Sequence, residues 1–372
     1  MQIERVEVFV VAPKVQRFTW SHDLHEQYMT NTVVRITTDD GNEGVGGVSN
    51  YTSYDYDRYT CETLRHMIPA LIGQDALARE KIWRGLWPRV FPLPPQALAV
   101  IDVALWDLMG KIAGQPLYQL WGGATDRILS YASTPMLDDV ASYLRFVEEM
   151  ISLGFRAVKF HCWCLPGKDL ELARAAHREF RDNAAFMLDV ENNYDLESAL
   201  RVGEELHDLG FTWFEAPLPD YDLPGYRELT KSVDVPIVPS GNWIQDQTAF
   251  QHALETKSWS RARTDVTVCG GFTPARKYLS MVESVGMRCE IMSWGNTLVS
   301  SANLHLMMAT GLSTYFEQAV PWEPYEYGMH DVIRTQADGH VAAPSGPGLG
   351  VEIDWDAMEA ATIHRLDTRS LS

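Results

Sequence analysis

Apolar and polar positions along this chain follow two alternating rhythms. The runs AVKFH (157–161), FMLDVE (186–191), TWFEAP (212–217) and PIVPSGN (236–242) are largely apolar, end in polar residues and recur at nearly even spacing. Short runs of this kind read as strands buried on both faces. Between them lie stretches with helical spacing, at about 169–181, 195–209, 246–256, 273–285 and 298–310. The series opens with ILSYAS and LDDVASYLRFVEEMISLGF, in which Val140, Tyr143, Leu144, Val147 and Ile151 share one helical face. Strands near 128, 157, 186, 212, 236, 262, 288 and 314 make eight. Eight strands alternating with helices close a parallel barrel, which keeps its chemistry at the carboxyl ends of its strands.

The first 125 residues read differently. IERVEVFVV and NTVVRITTDDGNEGVGG suggest a small sheet with a turn at Asp40-Gly41, and QALAVIDVALWDLMGKIAG (96–114) is apolar around nearly its whole circumference, so it needs two neighbours to bury it. The expected organisation is an α+β domain over 1–125 and a barrel over 126–318, followed by a proline-, glycine- and aromatic-rich segment over 319–372 that packs back on the first domain. A length of 372 residues with 46% hydrophobic content can support two cores.

Charge narrows the partners. Fifty acidic against 31 basic side chains give a net charge of −19, which repels nucleic acid and anionic lipid and argues against either as a ligand. The five cysteines are odd in number and form no disulfide framework, and Cys162-Trp163-Cys164 lacks the second pair of a zinc site, so a reducing cytoplasm is expected. No basic start leads into an apolar stretch, and no run approaches the roughly 18 apolar residues of a membrane helix. A soluble protein is expected.

Candidate chemistry follows from strand parity. Residues i and i+2 share a face, so Lys159 and His161 project together into the barrel mouth, as do Asp189 and Glu191. Lys159 and Glu191 either neutralise one another or form part of a working site. Asp189, Glu215 and a further ligand from the fifth strand would sit on adjacent strand ends, where oxygen ligands gather around a small hard ion such as Mg²⁺. Trp163, Trp243 and Trp294 fall at or just past strand ends and either stack on the C–H face of a polyol or belong to the core.

The motifs TTDDGNEGVGG, AVIDVALWDLMGKIAGQPLYQLWGG, AVKFH, LDVEN, WFEAPLPD, VPIVPSGNW, TDVTVCGGFTPARK and YFEQ, in this order, resemble the enolase superfamily, in its mandelate racemase and sugar-acid dehydratase branch. The resemblance implies a capping domain built from both termini over a modified (β/α)7β barrel. It also implies Mg²⁺-assisted removal of the proton next to a carboxylate, a small-molecule acid-sugar substrate and a homo-oligomer. By position, Asp189 and Glu215 match the first two metal ligands. The third place is Gly241, so Asn242 through its carbonyl oxygen or Glu191 completes the set, unless Asn242 is a turn residue.

The usual Lys-X-Lys motif stands here as Lys159 and His161, with His161 as base, kept neutral by the charge of Lys159, and Lys159 on the substrate carboxylate. Asp265 matches one member of an opposing Asp-His pair, but Met292 stands where histidine is expected. A single base suits syn dehydration better than two-base racemisation. Glu317 is expected to face the substrate, and Trp20 and His22 lie in a segment (17–25) that overhangs the barrel and, with the tyrosine-rich segment 49–59, selects it. The implied reaction is dehydration of an aldonate or aldarate to a 2-keto-3-deoxy acid. A racemase, epimerase or cycloisomerase is the alternative, and a non-catalytic sugar-acid binder is the reading outside enzymes.

Overall fold

A computed structural model describes residues 1–52, 58–90, 93–242, 244 and 246–370. Trp243 and residues 53–57 of the tyrosine-rich segment lie outside them. The chain starts as an antiparallel meander of β1 (Ile3–Val11), β2 (Tyr28–Thr38) and β3 (Glu43–Thr52). At the β2–β3 turn, Gly41 takes φ +83°, the left-handed conformation that glycine adopts without strain. The all-apolar stretch forms a helix over Gln96–Ala113 and ends at Gly114 with φ +64°. Its backbone lies directly on β3, where a Cβ at Gly44 would come within 2.1 Å of the Ala104 carbonyl and one at Gly46 within 2.3 Å of the Val100 carbonyl. The glycines of GNEGVGG therefore permit a backbone-to-backbone approach that any side chain would block.

The second layer is a curled parallel sheet. It comprises β4 (Arg127–Ser133), β5 (Ala157–His161), β6 (Ala185–Asp189), β7 (Trp213–Glu215), β8 (Ile237–Val238) and β9 (Tyr315–Ala319), the last pairing with β4. Helices between them match the expected spans closely: Pro166–Phe180, Leu196–Asp208, Gln247–Glu255, Phe272–Ser284 and Thr297–Thr310. Asp139 caps the helix Val140–Ser152 by accepting from the Ser142 N–H at 2.7 Å, and Tyr143, Val147 and Met150 are its buried positions. Val140, Leu144 and Ile151 are half-buried.

The expected strands near 262 and 288 reduce to one parallel bridge between Ala262 and Cys289. One further bond, Met292 N–H to the Thr264 carbonyl, continues the pairing before the chain turns at Asp265, whose carbonyl accepts from the Val268 and Cys269 N–H groups. Scattered backbone bonds carry the wall here: Ser260 and Arg261 N–H to Ile237, Ala262 N–H to Arg288, Glu290 N–H to Ala262 and Cys289 N–H to Leu312. The short β10 (His340–Ala342) lies antiparallel to β4, and β11 (Thr362–Asp367) returns to pair with β1, giving the cap order β11-β1-β2-β3. No helix is long and apolar enough to cross a membrane among the described residues, and the five cysteines are buried.

Cap and barrel meet at Asp102, whose carboxylate accepts from the Thr273 N–H at 2.9 Å and hydroxyl at 2.6 Å. Trp83 adds a bond to the Gly270 carbonyl at 2.9 Å. Burial raises the Asp102 pKa to about 7 against the pull of the two Thr273 bonds. A folded value above the unfolded one means this group's contribution is fullest below about pH 4 and falls as the pH rises towards 7. Asp102→Ala strands two buried donors and is expected to lower unfolding free energy by about 1–3 kcal/mol, by more at pH 5 than at pH 8. Urea titrations at the two pH values check this.

Candidate active site

Strand register brings the polar ends together. His161 on β5 stands opposite Asp189 on β6, and Asp189 stands opposite Glu215 on β7. These ends open into a cavity of about 400 Å³, roofed from the cap by Trp20, Leu24, Gln27 and Tyr51. Lys159, one layer below His161, points inward as parity requires. Its Nζ lies 2.9 Å from Asp189 Oδ2, 2.5 Å from Glu215 Oε1 and 2.9 Å from Glu317 Oε1. Burial alone would lower the Lys159 pKa, but these three carboxylates raise it well above the ordinary lysine value. Glu317 also accepts from the Ser133 hydroxyl at 2.9 Å. Burial pushes its pKa up, yet Lys159 and Arg263 outweigh this and hold it at about 2.

Arg263 is a member of the site that the reading of the sequence missed. Its Nη2 lies 3.0 Å from both Glu215 Oε1 and Glu317 Oε2, and the side chain is 3% exposed. The signal was present: Arg263 and Asp265 are i and i+2 on one inward face, the parity that identified Lys159 and His161. Glu215 Oε2 takes the Trp213 indole N–H at 2.8 Å, and burial raises the Glu215 pKa to about 7 despite its cationic neighbours.

His161 Nε2 lies 3.2 Å from Asp189 Oδ2 and 3.2 Å from Glu191 Oε1, while Nδ1 lies 2.5 Å from the Thr134 carbonyl. A carbonyl only accepts and two carboxylates only accept, so both ring nitrogens carry protons. Burial lowers the pKa, but Asp189 more than compensates and raises it to about 10, with Lys159 opposing. This corrects the expectation that Lys159 keeps the imidazole neutral, because the lysine charge is directed at three carboxylates, and the ring shares one of them, Asp189, and faces Glu191 besides. Glu191 reaches the cavity by a left-handed turn (φ +49°) and not by strand alternation, its N–H donating to Asp189 Oδ1 at 3.0 Å. Asp189, Glu191 and His161 Nε2 gather within 4.8 Å, a group able to hold a metal ion.

The remaining candidates separate. Asp265 lines the cavity, but its Oδ1 is taken by the Thr267 N–H (2.7 Å) and the Asn303 amide (2.9 Å), and burial raises its pKa. Met292 lines the wall beside it, its N–H on the Thr264 carbonyl. Asn242 also lines the cavity, its main-chain N–H bonded to Asp220 Oδ2 at 3.1 Å. Trp294 stands edge-on to His161 at 5.5 Å and to Trp20 at 5.5 Å. Two candidates lie outside the cavity wall. His22 is exposed and forms no part of the cavity wall. Trp163 packs edge-on against Tyr143 at 5.2 Å in the core, because the chain turns away from the mouth at Cys164 (φ +58°).

Residues 5–122 match the mandelate racemase/muconate lactonizing enzyme N-terminal domain, and residues 142–357 match the enolase C-terminal domain-like family. The chain is similar in structure to a protein of Pseudovibrio sp. described as a mandelate racemase/muconate lactonizing enzyme (TM-score 0.96, 38% identity, 98% of each chain covered). It is 26% identical to a D-galactarolactone cycloisomerase of Agrobacterium fabrum over 96% of this chain and 98% of that protein. It is also 26% identical to a D-mannonate dehydratase of Caulobacter sp., over 86% and 88% respectively. Fold and matched families agree: this chain belongs to the mandelate racemase/muconate lactonizing enzyme group of the enolase superfamily, whose members include both lyases and isomerases.

Proposed function

We propose that this protein removes the α-proton of a hydroxylated carboxylate with the aid of Mg²⁺ and dehydrates an acid sugar to a 2-keto-3-deoxy acid. The observation that carries this reading is the charge inventory of the mouth. Asp189, Glu191, Glu215, Asp265 and Glu317 face Lys159, Arg263 and His161, an excess of negative charge that an anionic substrate could not enter unaided. A divalent ion corrects it, and the oxygen-rich donors at Asp189 and Glu191 suit a hard cation, with Glu215 and Asn242 beside them. When bound, Mg²⁺ supplies positive charge against the substrate carboxylate as negative charge develops there, and it also favours loss of the imidazolium proton.

The chain's own residues supply the rest. The Thr134 carbonyl holds Nδ1–H, so the nitrogen that loses its proton and becomes basic is Nε2, on the cavity side. His161 Nε2 takes the α-proton and returns it to the departing β-hydroxyl, which leaves as water. The enol then becomes the keto acid. Lys159 and Arg263 provide fixed positive charge beneath the reacting carboxylate, and the Trp20 and Trp294 rings exclude water above it.

Isomerisation through the same intermediate is the second reading, favoured by Asp265 on the cavity wall. Incubation with mono- and diacid sugars and MgCl2 in D2O separates the two. Keto-acid formation, read as a semicarbazone, marks dehydration, and α-deuterium without loss of water marks isomerisation. Neither signal with any carboxylate would sink the proposal, and Mg²⁺-dependent binding without turnover would leave a sugar-acid binder.

A further inference from the structure

Charge is divided sharply between the two sides of the cavity. Among the described residues, every charged side chain on its wall belongs to the barrel, whereas those of the cap, including Trp20, Leu24, Gln27, Asn50, Tyr51 and Gln96, are uncharged. Residues 53–57, 91–92, 243 and 245 hold no lysine, arginine or histidine in the sequence. The basic residues of the overhanging segment, Arg17, His22 and His25, are exposed and stand outside the wall, with Arg17 over the Tyr28 ring at 4.4 Å. The roof itself is aromatic. Trp20 meets Tyr51 at 5.1 Å and Trp294 at 5.5 Å, both edge to face, and Phe18 and Tyr325 pack against these rings. The indole nitrogens of Trp20 and Trp294 and the Tyr51 hydroxyl are buried inside the cluster, so the roof offers ring carbon to the cavity.

We infer that the substrate is a monoacid, an aldonate whose end remote from the reacting carboxylate is uncharged, and that diacids are rejected at the cap. This rests on the proposed reaction of a sugar acid at this mouth. Five carboxylates against three cations leave the wall with an excess of two negative charges, which one divalent ion offsets. The carboxylate next to the reacting carbon meets that ion and the cations of the barrel. A second carboxylate at the far end meets Leu24 and ring carbon, so it loses its water and gains no cation in exchange. A terminal hydroxyl can instead bond to the Gln27 or Asn50 amide while the C–H side of the chain rests on the Trp20 and Trp294 rings. The net charge of −19 adds long-range repulsion that weighs more on a dianion than on a monoanion.

Calorimetric titration of the purified chain in MgCl2 with aldonates, and with the aldarates of the same configuration, tests this, and repeating it on His161→Ala removes the heat of turnover. The best-bound aldonate should bind at least about tenfold more tightly than the aldarate that differs from it only at the terminal carbon. Gln27→Arg places a cation in the roof and should narrow that ratio by about tenfold by raising the aldarate affinity. An aldarate bound as tightly as its aldonate overturns the inference, as does an unchanged ratio in Gln27→Arg or the absence of binding by either class. The native comparison needs no variant, so it decides the matter alone if Gln27→Arg does not fold. Selective binding of aldonates without keto-acid formation would sink the proposed dehydration and leave this inference standing, and dehydration of aldarates alone would do the reverse.

Discussion

Lys159→Met is expected to lower the unfolding free energy by about 3–5 kcal/mol, the usual result of removing one partner from a buried ionic cluster. The lysine is the shared neighbour of Asp189, Glu215 and Glu317, all three within 2.9 Å and all buried. Methionine nearly fills the volume but leaves the carboxylates facing one another with Arg263 and His161 as the remaining cations. The pH dependence has a definite sign. Glu317 is held near 2 in the native chain, below its unfolded value of 4.5, so its contribution is fully present above about pH 5 and fades as the pH falls towards 2. Without Lys159 the folded value rises, and the variant loses more stability with rising pH than the native chain does. The difference between the two should therefore widen from pH 4.5 to pH 8. Urea denaturation of both across that range decides it, and a constant difference, or one below about 1 kcal/mol, would show that the cluster is not held as described.

Much of this architecture is written into local sequence. Barrel strands are short apolar runs because both faces are buried, and several of the intervening helices carry their own side-chain caps, Asp139, Asp195, Asp246 and Asn296. The placement of Lys159, His161, Asp189 and Glu215 needs only parity and the alignment of strand ends. What sequence does not carry is the outcome of competition between neighbours. The strands at 262 and 288 shrink to a bridge because Asp265 begins a turn. Trp163 goes to the core because Cys164 redirects the chain. The charge on His161 depends on Asp189 and Glu191 reaching it from another strand and a turn, and that requires distances. Arg263 differs from these: strand parity with Asp265 alone indicates its inward face.

His161→Ala is expected to reduce α-proton exchange by about 10²–10⁴-fold while leaving substrate or hydroxamate binding largely intact. Two side chains reach the cavity with a basic nitrogen capable of the step, and the surroundings tell them apart. Lys159 is fenced by three carboxylates that keep it cationic, so it has no lone pair to offer at neutral pH. His161 has one nitrogen anchored on the Thr134 carbonyl and the other exposed to the space shared with Asp189 and Glu191, where added positive charge frees it. A base fixed in one tautomer by its far nitrogen needs no reorganisation before it accepts a proton. Truncation to alanine leaves a gap of ring size at the mouth, so free imidazole should enter and restore part of the exchange, with a rate that saturates in imidazole and rises with pH through its ordinary pKa near 6.5. Exchange in D2O, followed by loss of the α-proton NMR signal, measures both effects. If the variant retains more than about a tenth of the native exchange rate without imidazole, the base lies elsewhere, and Asp265 is the next residue to replace.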